Sequence, residues 1–265
     1  MHKQLIINDM PFIKKMEKFD VLKMFFVICF LPLVGFAEQN GIFSYFEEIN
    51  SRSFKQSRKE VSFETTGPVH IEYSYPIFSG SGTLIKQVNI QVKAEVENRF
   101  NCYIQAEILT EEMWEDGCTL SYELFPVYQA PNLISIYGCD FQGRGCHGCT
   151  YYEGKSFWQK GDMVVKLVLD DLFVKGSEYR PFLLQYCENY FKASGYGYYS
   201  SRSELLPELI PSDLDIFIPT DKGLMIVFRA YTVGGWADGP DAVLIPYAEI
   251  KKFIDPFGPL KDVFE

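Results

Sequence analysis

The distribution of hydrophobic residues along this chain of 265 residues predicts two main helices. In the first, a helix-capping residue, Thr83, precedes a stripe of aliphatic side chains at four-residue spacing. The stripe consists of Leu84, Val88, Val92 and Val96, with Ile85 and Phe100 beside it. In the second helix Ser177 is the predicted cap. The side chains that share one face of it are Tyr179, Leu183, Tyr186, Cys187 and Tyr190.

Shorter runs rich in β-branched and aromatic residues predict the strands. The predicted strands are residues 61–78, as one or two strands, the alternating stretch 120–124, and 132–137, 150–158, 163–168, 217–219, 224–231 and 242–245; residues 247–254 are predicted to form a short closing helix. Strands and helices do not alternate strictly, which disfavours a doubly wound sheet. The pattern predicts an α+β fold, with an antiparallel sheet packed against two main helices, in two subdomains.

The N-terminal segment has the composition of a secretory signal peptide. Lysines precede an apolar run at residues 24–37, which is shorter than the ~20 residues of a spanning helix. Small residues at Gly35 and Ala37 predict cleavage before Glu38, and an uncleaved membrane anchor is the alternative. The predicted organisation is a signal peptide at 1–37, an arm or linker at 38–60, an α/β subdomain at 61–118 and an α+β domain at 119–265. The predicted location is the periplasm or the cell exterior.

Charge narrows the range of partners. The net charge is −10 and the pI is about 4.9. Without residues 1–37, 20 basic and 32 acidic residues remain, and the net charge becomes −12. This excess of acid disfavours binding to nucleic acid or to anionic lipid, and it permits a basic protein partner, which it would attract electrostatically. Membrane contact is predicted only through an uncleaved signal segment.

The cysteine count predicts disulfide bonds. Six cysteines follow residue 37, and an even number in an exported protein is typical of a disulfide framework. They are Cys102, Cys118, Cys139, Cys146, Cys149 and Cys187. Spacing favours a local bond within residues 139–149 and a bond between Cys102 and Cys118.

Residues 139–149 hold three of the seven cysteines and one of the three histidines. The flanking strands predict that this cluster is a hairpin turn, and a structural disulfide loop is the preferred interpretation. One alternative is thiol-disulfide exchange at Cys146 and Cys149, with Arg144 and His147 lowering the thiol pKa. Another is a zinc site, whose ligands would be Cys139, Cys146, His147 and Cys149.

No other motif predicts catalysis. His70 falls in a strand pattern, and Asp170 with Asp171 is interpreted as a turn leading into the second helix. The chain has no Gly-x-Ser-x-Gly, His-Glu-x-x-His or phosphate-binding loop. We therefore predict no catalytic residue, no metal and no cofactor.

Aromatic residues in glycine-rich loops predict a binding surface instead. Large rings in such loops are typical of protein and sugar contacts, although packing over the loop is the alternative. The candidate binding residues are Tyr196, Tyr198, Tyr199, Trp236 and His147.

Several short motifs occur in an order that resembles one protein family. They are Tyr75-Pro76 before the first helix, Gly-Arg-Gly-Cys-His-Gly at 143–148, Leu-Asp-Asp-Leu-Phe at 169–173, Gly223-Leu224, Tyr231, Trp-Ala-Asp-Gly at 236–239 and Val-Leu-Ile-Pro at 243–246. This order resembles the exported domain-of-unknown-function family 3298, found in RsiV-type anti-sigma regulators and PdaC-type cell-wall enzymes. The resemblance implies a two-part α+β domain outside the cytoplasmic membrane that binds rather than catalyses; sensor members recognise lysozyme. The cysteines of residues 139–149 are not part of the family pattern.

Taken together, the sequence predicts an exported, disulfide-stabilised binding module of the bacterial envelope. Its predicted ligand is a lysozyme-like basic protein or a peptidoglycan fragment. Two alternatives stay open, an envelope thiol-disulfide oxidoreductase using Cys146 and Cys149 and a purely structural envelope protein.

Overall fold

The computed structural model describes residues 56–64, 69–105, 118–144, 147–195, 197–199, 208–235 and 241–263. Its strands are β1 (Gln56–Glu64), β2 (Val69–Phe78), β3 (Cys118–Gln129), β4 (Leu133–Arg144), β5 (His147–Lys160), β6 (Met163–Lys166), β7 (Phe217–Pro219), β8 (Gly223–Phe228) and β9 (Asp241–Pro246). Its helices are α1 (Thr83–Gln105), α2 (Tyr179–Ser194) and the single turn α3 (Tyr247–Ile250). Short 3-10 segments occur at Leu169–Leu172, Gly197–Tyr199, Pro211–Leu214 and Lys261–Val263. The predicted α+β class is confirmed.

The nine described strands form two sheets. The first has the order β1-β2-β3-β4-β5-β6 and the second the order β7-β8-β9. All neighbouring strands are antiparallel except β2 and β3, which run parallel because α1 carries the chain back across the sheet between them. The antiparallel prediction is therefore correct for β3 to β6 and incomplete for the first strands.

Two features of the first sheet differ from the predicted organisation. Strand β1 begins at Gln56, within the segment 38–60 that the sequence predicts to be an arm or linker. Strands β2 and β3 pair directly, although the predicted boundary between subdomains falls at residue 118. The first sheet therefore extends across that boundary.

Helix α1 covers one face of the first sheet. The four stripe residues Leu84, Val88, Val92 and Val96 are all buried, and Ile85 and Phe100 pack beside them, as predicted. They contact apolar side chains of the sheet, which include Ile71, Leu120, Leu124, Ile136 and Phe157. Burial of such a stripe stabilises a helix more than its intrinsic propensity does. These residues form the first of two cores.

The second core contains α2, the second sheet and part of the other face of the first sheet. The buried side chains of α2 are Tyr179, Leu183, Cys187 and Phe191. Phe191 therefore replaces the predicted Tyr190 in the stripe, and Tyr190 is 42% exposed. The N-cap is Glu178 rather than the predicted Ser177. The helix ends at Gly195, whose φ of 63° lies in the left-handed region that glycine adopts at little cost.

No helix within the described ranges has both the length and the apolarity needed to cross a membrane. The predicted signal segment at residues 1–37 lies outside those ranges.

Candidate functional site

A buried polar network lies between α1 and the first sheet. Alternate residues of a strand share a face, and the register places Tyr122 opposite Asp140 and Glu153 opposite Gly138 on the face that α1 covers. Lys155, two residues after Glu153, faces the same way and is completely buried. The network therefore forms where polar residues of the strands meet Glu95, Arg99 and Tyr103 of the helix.

Asp140 is the centre of one half of this network. Its carboxylate accepts hydrogen bonds from Arg99, from the Tyr103 hydroxyl at 2.6 Å and from Gln142 Nε2 at 3.3 Å. Burial, followed by the hydrogen bond to Asp140, raises the pKa of Tyr103. Asp140 has only 4% of its side chain exposed, so these donors replace the hydrogen bonds to water that its carboxylate lacks.

Lys155 is the centre of the other half. Its Nζ donates to the Tyr122 hydroxyl at 2.8 Å, lies 3.1 Å from Glu95 Oε1 and contacts Glu153, which also accepts from Tyr122. Burial opposes the ionisation of Glu153, but Lys155, Tyr122 and Arg99 more than offset it, so the Glu153 pKa lies below its usual value. Each of these charges has a partner of opposite charge within the network. The network therefore attaches α1 to the first sheet, and we call it the buried clamp; it does not have the features of a reactive centre.

The predicted hairpin at residues 139–149 is present, with β4 and β5 antiparallel and Arg144 opposite His147 in the backbone register. Cys149 lies opposite Gln142, so it faces the same side of the sheet as Gln142 and Asp140. Cys139 is on the opposite side. This arrangement separates the two thiols.

The predicted disulfides are not formed among the described cysteines. Cys102, Cys139, Cys149 and Cys187 are free thiols. A bond within residues 139–149 and the bond between Cys102 and Cys118 are therefore both absent from the structure. Cys118 is buried at the first position of β3, and Cys146 lies outside the described residues.

The zinc and redox alternatives gain no support from this geometry. Cys139 and Cys149 on opposite faces do not converge on one ion, and the described residues contain no group of three or more metal-binding side chains. Burial raises the pKa of Cys139 to about 12 and also raises that of Cys187, which makes both thiols poor nucleophiles. Cys149 lies within a strand, whereas thiol-disulfide enzymes place this motif at the start of a helix.

Asp170 and Asp171 have structural contacts, in agreement with the turn interpretation. Asp170 accepts hydrogen bonds from Tyr179 and from Arg180 Nη2 at 2.6 Å, both in the first turn of α2. Asp171 Oδ2 accepts from the backbone N–H of Val168 at 2.9 Å and closes the 3-10 segment Leu169–Leu172. Asp170 therefore orders the start of α2, and Asp171 orders the 3-10 segment that precedes it.

We expect Asp171→Ala to lower the free energy of unfolding by about 1 kcal/mol, because the Val168 N–H loses its capping acceptor. Thermal denaturation measures this change. Asp162→Ala, in the exposed turn between β5 and β6, is the control and should change stability by less than about 0.5 kcal/mol. Equal melting temperatures for the two variants would contradict the capping role.

The two loops that carry the predicted binding aromatics meet in the structure. The backbone N–H of Tyr198 donates to the carbonyl of Val233 at 2.9 Å, and a side chain at Gly197 would overlap the backbone of residues 233–234. Tyr198 is 37% exposed. Among the other candidates, Tyr196 and Trp236 lie outside the described residues, as do the side chains of Tyr199 and His147.

Two further exposed tyrosines lie on segments that reach this junction. Tyr190 of α2, 42% exposed, lies beside Phe191, whose ring contacts Phe228 at the end of β8. Tyr231, 61% exposed, follows β8 and lies two residues before Val233. We call Tyr190, Tyr198 and Tyr231, together with Asp241, the tyrosine surface.

Tyr231 has an unusual backbone conformation. Its φ of 70° makes it the one non-glycine residue in the left-handed region among the residues that the structure describes. That region is unfavourable for a bulky side chain, and the Tyr231 ring is mostly exposed. Such outliers are found preferentially at binding and active sites.

Asp241 is the acidic member of the tyrosine surface. It is the first residue of β9, opposite Phe228, and its Oδ1 accepts from the backbone N–H of Ala242 at 2.6 Å. Burial raises the pKa of Asp241 to about 6. Burial and then the charge of Asp241 raise the pKa of Tyr190.

Sequence reasoning missed Tyr190, Tyr231 and Asp241 as binding candidates, and it used Tyr231 only as part of the family motif. Tyr190 and Phe191 are adjacent aromatic residues, and the helical pattern did not identify which of them is buried. Asp241 has no motif around it that indicates partial burial.

The fold and the site define an α+β protein with two sheets, a buried clamp under α1 and an exposed tyrosine surface at one end of the second sheet. The chain matches the family described as "Protein of unknown function (DUF3298)" over residues 170–248. This match confirms the family resemblance predicted from the sequence, and it spans the tyrosine surface. It shows similarity to this family over those residues, and it does not distinguish an RsiV-type or PdaC-type subgroup.

Two crystal structures of DUF3298 proteins share the fold. A member from Bacteroides fragilis NCTC 9343 aligns with a TM-score of 0.55 and 15% identity, over 79% of this chain and 96% of its own. One from Pseudomonas aeruginosa PAO1 aligns with a TM-score of 0.53 and 14% identity, over 76% of this chain and 93% of its own. No curated protein matches the chain. At these identities the likeness concerns the fold alone.

Proposed function

We propose that this protein is an exported binding module of the bacterial envelope that holds a basic protein on its tyrosine surface. The observation that carries this proposal is that the segment of Tyr198 is hydrogen-bonded to the segment that follows Tyr231, while α2, which carries Tyr190, packs on the end of β8 through Phe191 and Phe228. Tyrosine is among the residues that dominate protein interfaces, because its ring buries much area while its hydroxyl keeps a hydrogen-bond partner.

The charge of the chain supports a basic partner. The net charge of −10 in the full sequence, or −12 after residue 37, attracts a cationic protein and accelerates its association. A lysozyme-like enzyme or a peptidoglycan fragment is the ligand class that the family resemblance indicates. Of these two, the acidic charge favours the protein.

Binding to a basic lysozyme and to soluble peptidoglycan fragments tests the proposal. The chain after residue 37 is titrated with each ligand by isothermal calorimetry at near-physiological salt, which screens non-specific attraction. We expect the wild-type protein to bind the lysozyme. The variant Tyr190→Ala/Tyr198→Ala/Tyr231→Gly should bind it at least tenfold more weakly, since it lacks the three exposed rings.

Tyr151→Ala is the matched control, because Tyr151 is 52% exposed but lies on β5 of the first sheet. Glycine is chosen at 231 because it adopts the positive φ freely and preserves the loop. Equal affinity of the triple variant and the wild type would overturn the assignment of the surface. Absence of binding to both ligands would overturn the proposed ligand classes.

A further inference from the structure

We propose that Asp241 is the counter-charge for one cationic side chain of the ligand, an ammonium or guanidinium group that enters beside the ring of Tyr190. This inference rests on the proposed function, because it names the chemistry that one part of the tyrosine surface recognises. It assigns the specificity of that surface to a single carboxylate.

The position of Asp241 carries the argument. It begins β9 directly opposite Phe228, whose ring contacts Phe191 in an edge-to-face arrangement. Tyr190 is the neighbour of Phe191 and presents a partly exposed ring. Asp241 is thus joined to Tyr190 through the packed rings of Phe228 and Phe191. A carboxylate and an aromatic ring on one surface can together recognise an ammonium or guanidinium group, through an ion pair and a cation–π contact.

The carboxylate of Asp241 lacks a cation of its own among the described residues. None of the ion pairs of that part of the chain involves it. Asp140 has Arg99 as its partner, and Glu153 has Lys155. Asp241 instead has one hydrogen bond to the backbone beside it.

The energetic cost of this arrangement supports a role in binding. Desolvation raises the Asp241 pKa to about 6, so above that pH the folded protein holds a carboxylate that the unfolded chain would solvate better. The penalty is fully present above pH 6 and disappears as the pH falls towards the ordinary value of 3.8. A cation from a ligand would relieve it. Retention of a destabilising group is typical of a functional site.

Fluorescence anisotropy with a labelled tetralysine peptide tests the inference independently of the natural ligand. At pH 7.5 we expect Asp241→Asn to bind the peptide at least tenfold more weakly than the wild type does. Asp162→Asn removes the same charge from an exposed turn and should stay within twofold of the wild type. A peptide with acetylated lysines should not bind. Asp241→Asn should also melt at a higher temperature at pH 7.5, which shows that it is folded.

Each outcome decides one of the two proposals. Equal peptide affinities for Asp241→Asn and the wild type, or equal losses in Asp241→Asn and Asp162→Asn, would overturn the role of Asp241. Failure of the wild type to bind the peptide would do the same. Loss of lysozyme binding in the triple tyrosine variant, with unchanged binding by Asp241→Asn, would leave the proposed function standing without this inference. If the wild type binds the peptide but not lysozyme, and Asp241→Asn loses the peptide, the role of Asp241 stands and lysozyme is overturned as the ligand.

Discussion

Lys155→Met is expected to lower the free energy of unfolding by about 3 kcal/mol, the typical cost of breaking a buried ion pair from one side. Lys155 is completely buried and contacts Glu153, Glu95 and the Tyr122 hydroxyl. Methionine fills a similar volume, so the main loss is the positive charge rather than packing. Glu153 would then keep a desolvated carboxylate with only Arg99, at 3.7 Å, as its cation. Chemical denaturation at pH 7 measures the change.

The pH dependence gives this prediction a second measurement. In the wild type the Glu153 pKa lies below its usual value. The stability contributed by its ionised form is therefore present above the unfolded pKa of 4.5 and is lost as the pH falls through the lower folded value. In Lys155→Met this contribution should be largely absent. The difference in stability between the two proteins should consequently shrink at acidic pH.

Lys166→Met is the control for Lys155→Met. Lys166 lies on β6 of the same sheet and is exposed, so its replacement should change stability by no more than about 0.5 kcal/mol. If both variants have the same stability as the wild type, the buried network contributes no net energy to the attachment of α1.

The sequence was sufficient to predict α1 because its signal is local. Four aliphatic residues at four-residue spacing form one apolar face of a helix, and all four are buried in the structure. The β4–β5 hairpin and the strands β7 to β9 were predicted for the same reason, since each depends on a short hydrophobic run between turn residues. Local patterns of this kind do not depend on what the element packs against.

The pairing of the strands was harder to predict because it depends on distant parts of the chain. The parallel pairing of β2 with β3 requires that α1 cross the sheet between them. Cys139 and Cys149 are close in sequence, but the β4–β5 register places them on opposite faces. A proposed disulfide or metal site at such a hairpin depends on that register, which spacing along the chain does not specify.

The burial of Lys155 in the network under α1 and of Asp241 in the tyrosine surface was also not predictable from local sequence. Lys155 occurs in a strand pattern where a lysine would normally face solvent, and its burial depends on acids from β5 and from α1. Asp241 is partly buried at the start of β9, a strand that pairs with β8 and contacts α2. In both cases the surroundings that determine the charge are supplied by elements far away in sequence.

Gly154→Ala is expected to lower the free energy of unfolding by about 3 kcal/mol, at the upper end of the usual cost of overpacking. Gly154 on β5 lies against β7, and an added Cβ would come within 3.0 Å of the Phe217 carbonyl oxygen and of the Ile218 side chain. A backbone oxygen within a sheet has little freedom to move away, so the two sheets must separate to admit the methyl group. Thermal denaturation should show a large decrease in melting temperature.

The matched control for Gly154→Ala is Gly82→Ala. An added Cβ at Gly82 meets no atom within 4 Å, so this variant should be neutral or more stable by about 0.4–1 kcal/mol, through the reduced entropy of the unfolded chain. Equal stability of the two variants would mean that β5 and β7 are not held in the close contact that the structure shows. Because Asp241 begins β9 and Tyr231 follows β8, a shift of the second sheet in Gly154→Ala should also weaken lysozyme binding.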